Sequence, residues 1–351
     1  DFPWNSLELG GERHNMDPHS NRSLARGCEP VPAADGTLSQ SSRGRSGKSR
    51  MNDQPIAVFD SGLGGLTVVR SLQQHLPGET LVYFGDTARV PYGIKSSETV
   101  VAFAEQDCNF LLRFNPKLVI AACNTVSALA LEELTPKVPV PLVGVVGPGA
   151  SEAVRQAGGR SIAVLATEAT VASQAYIRAI HHLAPRTPVT QQRCPSLVSL
   201  IEEGRTSSDK ILLMILDEYL DGVRQLDPAV VLLGCTHYPL VAEAVGKLMP
   251  LARIVDSADA TARVVRELLA NRDALSASVE PGRLRCYVSD NPQRFREVGG
   301  SFLGEPIREV TWITPEQFFH EQSVFKPVRE LEDAIARGSD RPEAVHISSG
   351  R

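Results

Sequence analysis

The sequence predicts an α/β fold of two pseudo-symmetric domains, each a mostly parallel sheet flanked by helices, with the active site in the interdomain cleft. Three observations predict it. Short, continuous apolar runs alternate with segments of helical period, the pattern of strands buried on both faces. The run Ser161-Ile-Ala-Val-Leu165 echoes Ile56-Ala-Val-Phe59, and Cys123 and Cys235 stand 112 positions apart in similar settings. Asp60, Cys123 and Cys235 each fall at the carboxyl end of a strand, where open parallel sheets bind their ligands.

In chain order, a strand at Ile56–Phe59 leads through the Gly-rich turn Ser61-Gly-Leu-Gly-Gly65 into a helix ending near Leu76. Strands at Thr80–Phe84, Lys117–Ala121 and Pro141–Val146 alternate with helices at Ser97–Phe114 and Val126–Leu134. The pattern then restarts with the strand ending at Leu165. Helices at 197–203, 208–225 and 238–249 and a strand at 229–233 follow. A helix at 258–270, a strand at 284–289, a helix at 292–299 and a strand near 310–313 are expected to complete the first sheet. The domain reading is therefore 54–146 plus 259–325 for a discontinuous first domain and 147–258 for the second.

Residues 1–53 read as a disordered extension, rich in Gly, Ser, Arg and Pro, with Met51 near the start of the folded part. Residues 326–351 read as a flexible tail.

Bulk properties narrow the function. A chain of 351 residues with 42% hydrophobic content can bury the cores of two domains. A net charge of −5 and 5% aromatic content give no reason to expect nucleic acid as a partner. No apolar run approaches the roughly 20 residues that span a bilayer. The six cysteines are scattered without CxxC pairs, and no secretory signal is present, so reduced thiols in the cytoplasm are expected.

The Gly-rich turn Asp60-Ser61-Gly62-Leu63-Gly64-Gly65 lacks the Lys-Ser/Thr of a phosphate loop and fits the dinucleotide fingerprint poorly. It is either an Asx-capped strand–helix turn or a cradle in which Ser61 and backbone N–H groups hold a carboxylate. In Gly85-Asp86-Thr-Ala-Arg89-Val-Pro91-Tyr92-Gly93, Asp86 and Arg89 are expected to brace the loop that presents Tyr92 and Gly93.

Cys123 and Cys235 each precede an expected helix start, whose positive end favours a thiolate. His237 can relay a proton, and Asn124, Thr125 and Thr236 supply hydrogen bonds to a polar ligand. Cys235-x-His237 lacks the ligand count and spacing of a zinc site, so no metal is expected. Two matched thiols fit acid–base chemistry, one removing a proton while the other donates one to the opposite face. No cofactor motif is evident. A single-thiol hydrolase or decarboxylase would leave Cys123 without a role, and a non-catalytic amino-acid binding protein would leave both thiols without one.

Together these segments resemble glutamate racemases of the aspartate/glutamate racemase superfamily over about residues 54–325. The matching pieces also include Cys194-Pro-x-Leu197 and Gly234-Cys235-Thr236-His237-Tyr238-Pro239-Leu240. The resemblance implies cofactor-independent interconversion of L- and D-glutamate, supplying D-glutamate for peptidoglycan. It implies that Cys123 deprotonates the D-isomer with help from Asp60, and Cys235 the L-isomer with help from His237. Asp60, Ser61, Tyr92, Gly93, Asn124, Thr125, Thr236 and His237 would bind substrate, and Glu202 or Glu203 would assist near Cys235. Aspartate racemases of the superfamily usually carry Glu where His237 stands, which favours glutamate over aspartate. A homodimer and activation by a cell-wall precursor are compatible with the sequence, which fixes neither.

Overall fold

Among the described residues every strand pairing is parallel, so each strand must be reached by a crossover, and helices cover the sheet faces. The computed structural model describes residues 52–319, which lie within one compact unit. The expectations for residues 1–51 and for the tail from residue 320 onward fall outside the described residues.

The first half contains β1 (Ile56–Asp60), α1 (Leu66–His75), β2 (Leu81–Gly85), α2 (Ser97–Leu112), β3 (Leu118–Ala121), α3 (Asn124–Leu129), α4 (Leu131–Leu134) and β4 (Leu142–Gly144). The second contains α5 (Val146–Ala157), β5 (Ile162–Ala166), α6 (Glu168–Ser173), α7 (Ala175–Leu183), β6 (Val189–Arg193) and α8 (Leu197–Glu202). It continues through α9 (Lys210–Arg224), β7 (Val230–Gly234), α10 (Ala242–Leu248) and β8 (Arg253–Asp256). The chain then runs through α11 (Ser257–Asn271), β9 (Leu284–Val288), α12 (Pro292–Leu303), β10 (Val310–Trp312) and α13 (Pro315–Phe319).

The two sheets share a strand order. The first is β10-β9-β2-β1-β3-β4 and the second β6-β5-β7-β8. Removing β9 and β10 leaves two four-stranded sheets of one topology, with Cys123 following β3 and Cys235 following the equivalent β7. The weak sequence echo is thus a structural repeat.

Strand side chains alternate between cores, as the period of two requires. Ile56 and Val58 of β1 join Ala163 and Leu165 of β5 in a central cluster. Ala57 and Phe59 face an outer cluster of the first half, and Ile162 and Val164 an outer cluster of the second. The central core is therefore continuous through both halves, and α11 packs against both α1 and α5.

Several boundaries differ from the sequence expectation for identifiable reasons. β6 was not anticipated, because its Thr190-Gln191-Gln192 centre is polar; it is an edge strand and half-exposed. The helix expected at 238–249 opens as a 3₁₀ turn, Tyr238–Val241, before α10. The helix expected to stop at Gly299 continues to Leu303, and Gly304, at φ +86°, ends it. Gly299 is a packing glycine: a Cβ there would lie 2.6 Å from Ile307 Cδ1 and 2.9 Å from Leu66 Cδ1.

One ion pair lies wholly inside the first half. Lys117 Nζ sits 2.6 Å from Glu79 Oε2, with the side chains 1% and 2% exposed. The ammonium also donates to the carbonyls of Ala274 (2.8 Å) and Asn52 (3.1 Å), and Glu79 accepts from the Ser276 N–H at 2.7 Å. Removing one partner strands the other charge away from water. Lys117→Met is expected to lower the free energy of unfolding by about 3–5 kcal/mol. Lys117→Met with Glu79→Gln should recover part of that loss. Urea titration of the three proteins checks both.

Candidate active site

The Gly-rich turn carries the first half to the second. Asp60 closes β1 fully buried, and its Oδ2 accepts from the Gly62 N–H at 2.9 Å, an Asx turn. Of the two readings of this turn, the Asx cap is the one observed for Gly62, whose N–H is already engaged. The Tyr83 hydroxyl donates to the Gly62 carbonyl at 2.8 Å. A Cβ on Gly64 would stand 2.2 Å from Thr236 Oγ1 and 2.5 Å from His237 Nδ1. Only glycine lets this loop lie directly on the strand-end loop of the other half. Two side chains stitch the contact: Thr67 Oγ1 donates to the Thr236 carbonyl at 3.0 Å, and Thr236 Oγ1 to Asp60 Oδ1 at 3.4 Å. Burial raises the Asp60 carboxyl above its usual range, against the opposing pull of His237 and of the Gly62 and Gly65 N–H groups.

Cys123 is the N-cap residue of α3, with its Sγ 3.7 Å from Ser61 Oγ. The helix start does act on the thiol through the Val126 N–H, as the sequence led one to expect, but burial is the larger effect. Burial, then the Asp60 charge, push the Cys123 thiol up to about 12. It therefore holds its proton.

Cys235 sits in a different setting. No α-helix starts beside it; His237 precedes the 3₁₀ turn, and its Nδ1 lies 3.9 Å from Cys235 Sγ. His237 Nε2 in turn meets Glu202 Oε1 at 2.9 Å. Burial pulls the imidazole down, but its hydrogen bonds to Cys235 and Glu202 outweigh that and raise it to about 10. Burial of Glu202 is likewise outweighed by the His237 contact, which holds its carboxyl below the usual range. Phe302 packs edge-on against the His237 ring at 5.1 Å. Between the two adjacent glutamates the geometry is unambiguous, because Glu203 turns outward to Arg205 at 3.2 Å.

Tyr92 and Gly93 form one wall. The Tyr92 hydroxyl is committed away from a ligand, donating to Asp86 and lying 3.2 Å from Asp107 Oδ2. Arg89 pairs with both carboxylates, so the expected Asp86–Arg89 brace is present and extends to the fully buried Asp107. Burial, then the Asp86 charge, push the Asp107 carboxyl well above its usual range. A Cβ on Gly93 would lie 2.9 Å from Thr167 Cβ, a second place where the halves touch without room for a side chain.

Asn124 and Thr125 open α3. Asn124 Oδ1 accepts from Tyr176 and Thr125 Oγ1 meets Thr167 Oγ1 at 3.1 Å.

One cavity of about 80 Å³ gathers these groups. Ser61, Tyr92, Gly93, Cys123, Asn124, Thr125, Cys235, Thr236 and His237 all line it. Asp60 does not; it stands behind the wall, reaching the cavity through Thr236. Thr167, Glu168, Val198 and Ser199 also line it and were missed from the sequence. The repeat could have found Thr167, which follows β5 as Ser61 follows β1. Among the described residues no Lys or Arg lines the cavity. Among the described residues no cluster of three or more His, Cys, Asp or Glu could hold a metal ion. Nor is any described helix long and apolar enough to cross a membrane.

The Glu202–His237 contact has a measurable consequence. His237 is raised from its ordinary 6.5 to about 10, so its stabilising contribution is complete below pH 6.5 and is lost as pH rises through about 10. Glu202→Gln should lower the imidazole pKa and flatten the decline in stability across that window. NMR titration of the His237 ring, with unfolding measured from pH 6 to 10, checks both; an unchanged titration would contradict the assignment.

A model of the Asp/Glu/hydantoin racemase family matches residues 65–265. A glutamate racemase of Geobacter metallireducens is 41% identical over 262 residues, covering 74% of this chain and 97% of that protein. The crystal structure of glutamate racemase from Francisella tularensis in complex with D-glutamate aligns with a TM-score of 0.70 at 36% identity, covering 75% of this chain and 98% of that one. Escherichia coli glutamate racemase, solved with L-glutamate and the activator UDP-MurNAc-ala, aligns with a TM-score of 0.59 at 27% identity, covering 73% and 97%. With its duplicated α/β halves and a shared cavity between the two strand-end cysteines, the chain belongs to the glutamate racemase family, within the Asp/Glu/hydantoin racemases.

Proposed function

We infer that the protein interconverts L- and D-glutamate by a two-thiol proton transfer at Cα. The observation that carries this reading is the placement of Cys123 and Cys235 at equivalent strand ends of two repeated sheets, both lining one cavity. Glutamate presents two carboxylates to a wall in which, among the described residues, no Lys or Arg stands. Hydroxyls, the Asn124 amide and backbone N–H groups of Ser61, Gly93, Thr125 and Thr236 hold these anions, as such donors do at helix starts.

The steps follow from the two sulfurs' surroundings. Cys123 begins as a thiol, because burial holds its proton. Cys235 takes the Cα–H proton of L-glutamate onto its sulfur, beside the His237 ring that Glu202 orients. The electron pair left on Cα is spread into the α-carboxylate, and Cys123 delivers its proton to the opposite face, giving D-glutamate. The reverse direction runs with the sulfurs exchanged. Asp60 acts on Cys123 through its charge, at the position where the second half has only Ala166. The route draws on the protein's own groups and requires no cofactor.

On this reading the functional halves are 54–146 with 259–325, and 147–258, and the product serves peptidoglycan synthesis in the cytoplasm. The E. coli relative's activator makes a cell-wall precursor the natural effector to assay, and sedimentation would establish whether a homodimer forms.

Cys123→Ala and Cys235→Ala are each expected to lower racemisation by about 10²–10⁴-fold or more. Circular dichroism of either enantiomer of glutamate, with aspartate as the comparison substrate, measures this. Full activity in either variant would refute the two-thiol mechanism. Glutamate binding without any change in optical activity of the wild-type protein would leave a binding protein in its place.

A further inference from the structure

Asn124 uses the two ends of its amide differently. Its Oδ1 accepts a 2.5 Å hydrogen bond from the Tyr176 hydroxyl, whereas its buried Nδ2 has no partner in the protein. Asn124 also lines the cavity. A buried N–H donor without a partner is costly, so one left beside a ligand cavity is completed by the ligand.

Tyr176 belongs to α7 in the second half, is fully buried, and crosses to α3 in the first. Ser257, the first residue of α11, stands close to the phenol at the same junction. Gly149 of α5 makes room for this junction: a Cβ there would lie 3.0 Å from Ser257 Cβ and 3.4 Å from the Tyr176 hydroxyl. The donors therefore run in one direction. The phenol proton goes to Asn124 Oδ1, and the amide N–H₂ is left for the cavity.

That direction matters because the two ends of an amide are nearly the same size and a flip is sterically cheap. Flipped, Asn124 would turn a carbonyl oxygen toward an anionic ligand. The geometry points to Tyr176 as a positioning residue for substrate binding: its hydroxyl fixes the Asn124 amide with N–H toward a carboxylate of the amino acid. This rests on the glutamate reading above. Because Tyr176 and Asn124 come from different halves, the amide is set by the same contacts that join them.

The test is a double-mutant cycle on Tyr176→Phe and Asn124→Ala. Racemisation kinetics and calorimetric L-glutamate affinity are measured on each variant and on the wild type. Tyr176→Phe is expected to raise KM and Kd about tenfold while kcat stays within about threefold. Asn124→Ala should weaken binding at least as much, and adding Tyr176→Phe to it should cause no further loss. Asn124→Asp keeps an acceptor for the Tyr176 hydroxyl but puts an oxygen where the N–H₂ stands, and should weaken glutamate binding by about tenfold or more; unchanged affinity in this variant would overturn the inference. This variant decides the question should Tyr176→Phe fail to fold. Unchanged glutamate affinity in Tyr176→Phe, or an equal loss with and without Asn124, would overturn the inference. Wild-type protein that binds glutamate without racemising it would overturn the catalytic reading alone, since the affinity cycle still reads the positioning role.

Discussion

The contact of Gly64 with Thr236 and His237 is the constraint on which the site depends. It brings the strand-end loop of one half against that of the other with no side chain between them, and any Cβ would collide with both residues. Through it, Asp60 of the first half reaches the loop bearing Cys235, by way of Thr236. Gly93 against Thr167 makes the same kind of contact across the cavity. Two glycines thus set the width of the cleft. The central core, which runs unbroken from β1 to β5, keeps the halves from drifting apart.

Repetition of the topology gives two thiols in matched positions, but their surroundings are not matched. Cys123 has a buried carboxyl behind it and a serine hydroxyl beside it; Cys235 has an imidazole backed by Glu202. Position by position, Asp60 corresponds to Ala166 and Thr125 to His237, so each half has kept a different ionisable helper. The negative helper adds to the burial that keeps a proton on its sulfur. The other helper, an imidazole kept charged by Glu202, carries a proton within reach of its sulfur. A symmetric scaffold therefore supports an acceptor on one side and a donor on the other, as inversion at a carbon centre requires.

Much of this was legible in the sequence because the core strands are apolar throughout. Ile56–Asp60, Ile162–Ala166 and Val230–Gly234 are buried along their whole length and could be read without a structure. β6 could not, since an edge strand half-open to water tolerates Thr-Gln-Gln. The two cysteines were legible from their shared strand-end setting, whereas Tyr176 and Asp107 gave no local signal, because their meaning comes from partners 52 and 15 positions away. Glu202 and Glu203 were indistinguishable in sequence. One residue of helical rotation at the end of α8 decides which of them faces His237.

The central claim is that two different sulfurs serve the two faces of Cα, and isotope placement tests it most directly. L-Glutamate is incubated with the wild-type protein in deuterated water and both enantiomers are analysed at low conversion. The D-glutamate formed should carry deuterium at Cα, because the Cys123 thiol exchanges with solvent before turnover. The remaining L-glutamate should stay largely protiated. Deuterium entering the L-glutamate pool as fast as the product, or D-glutamate retaining the original proton, would show one group serving both faces and contradict the account.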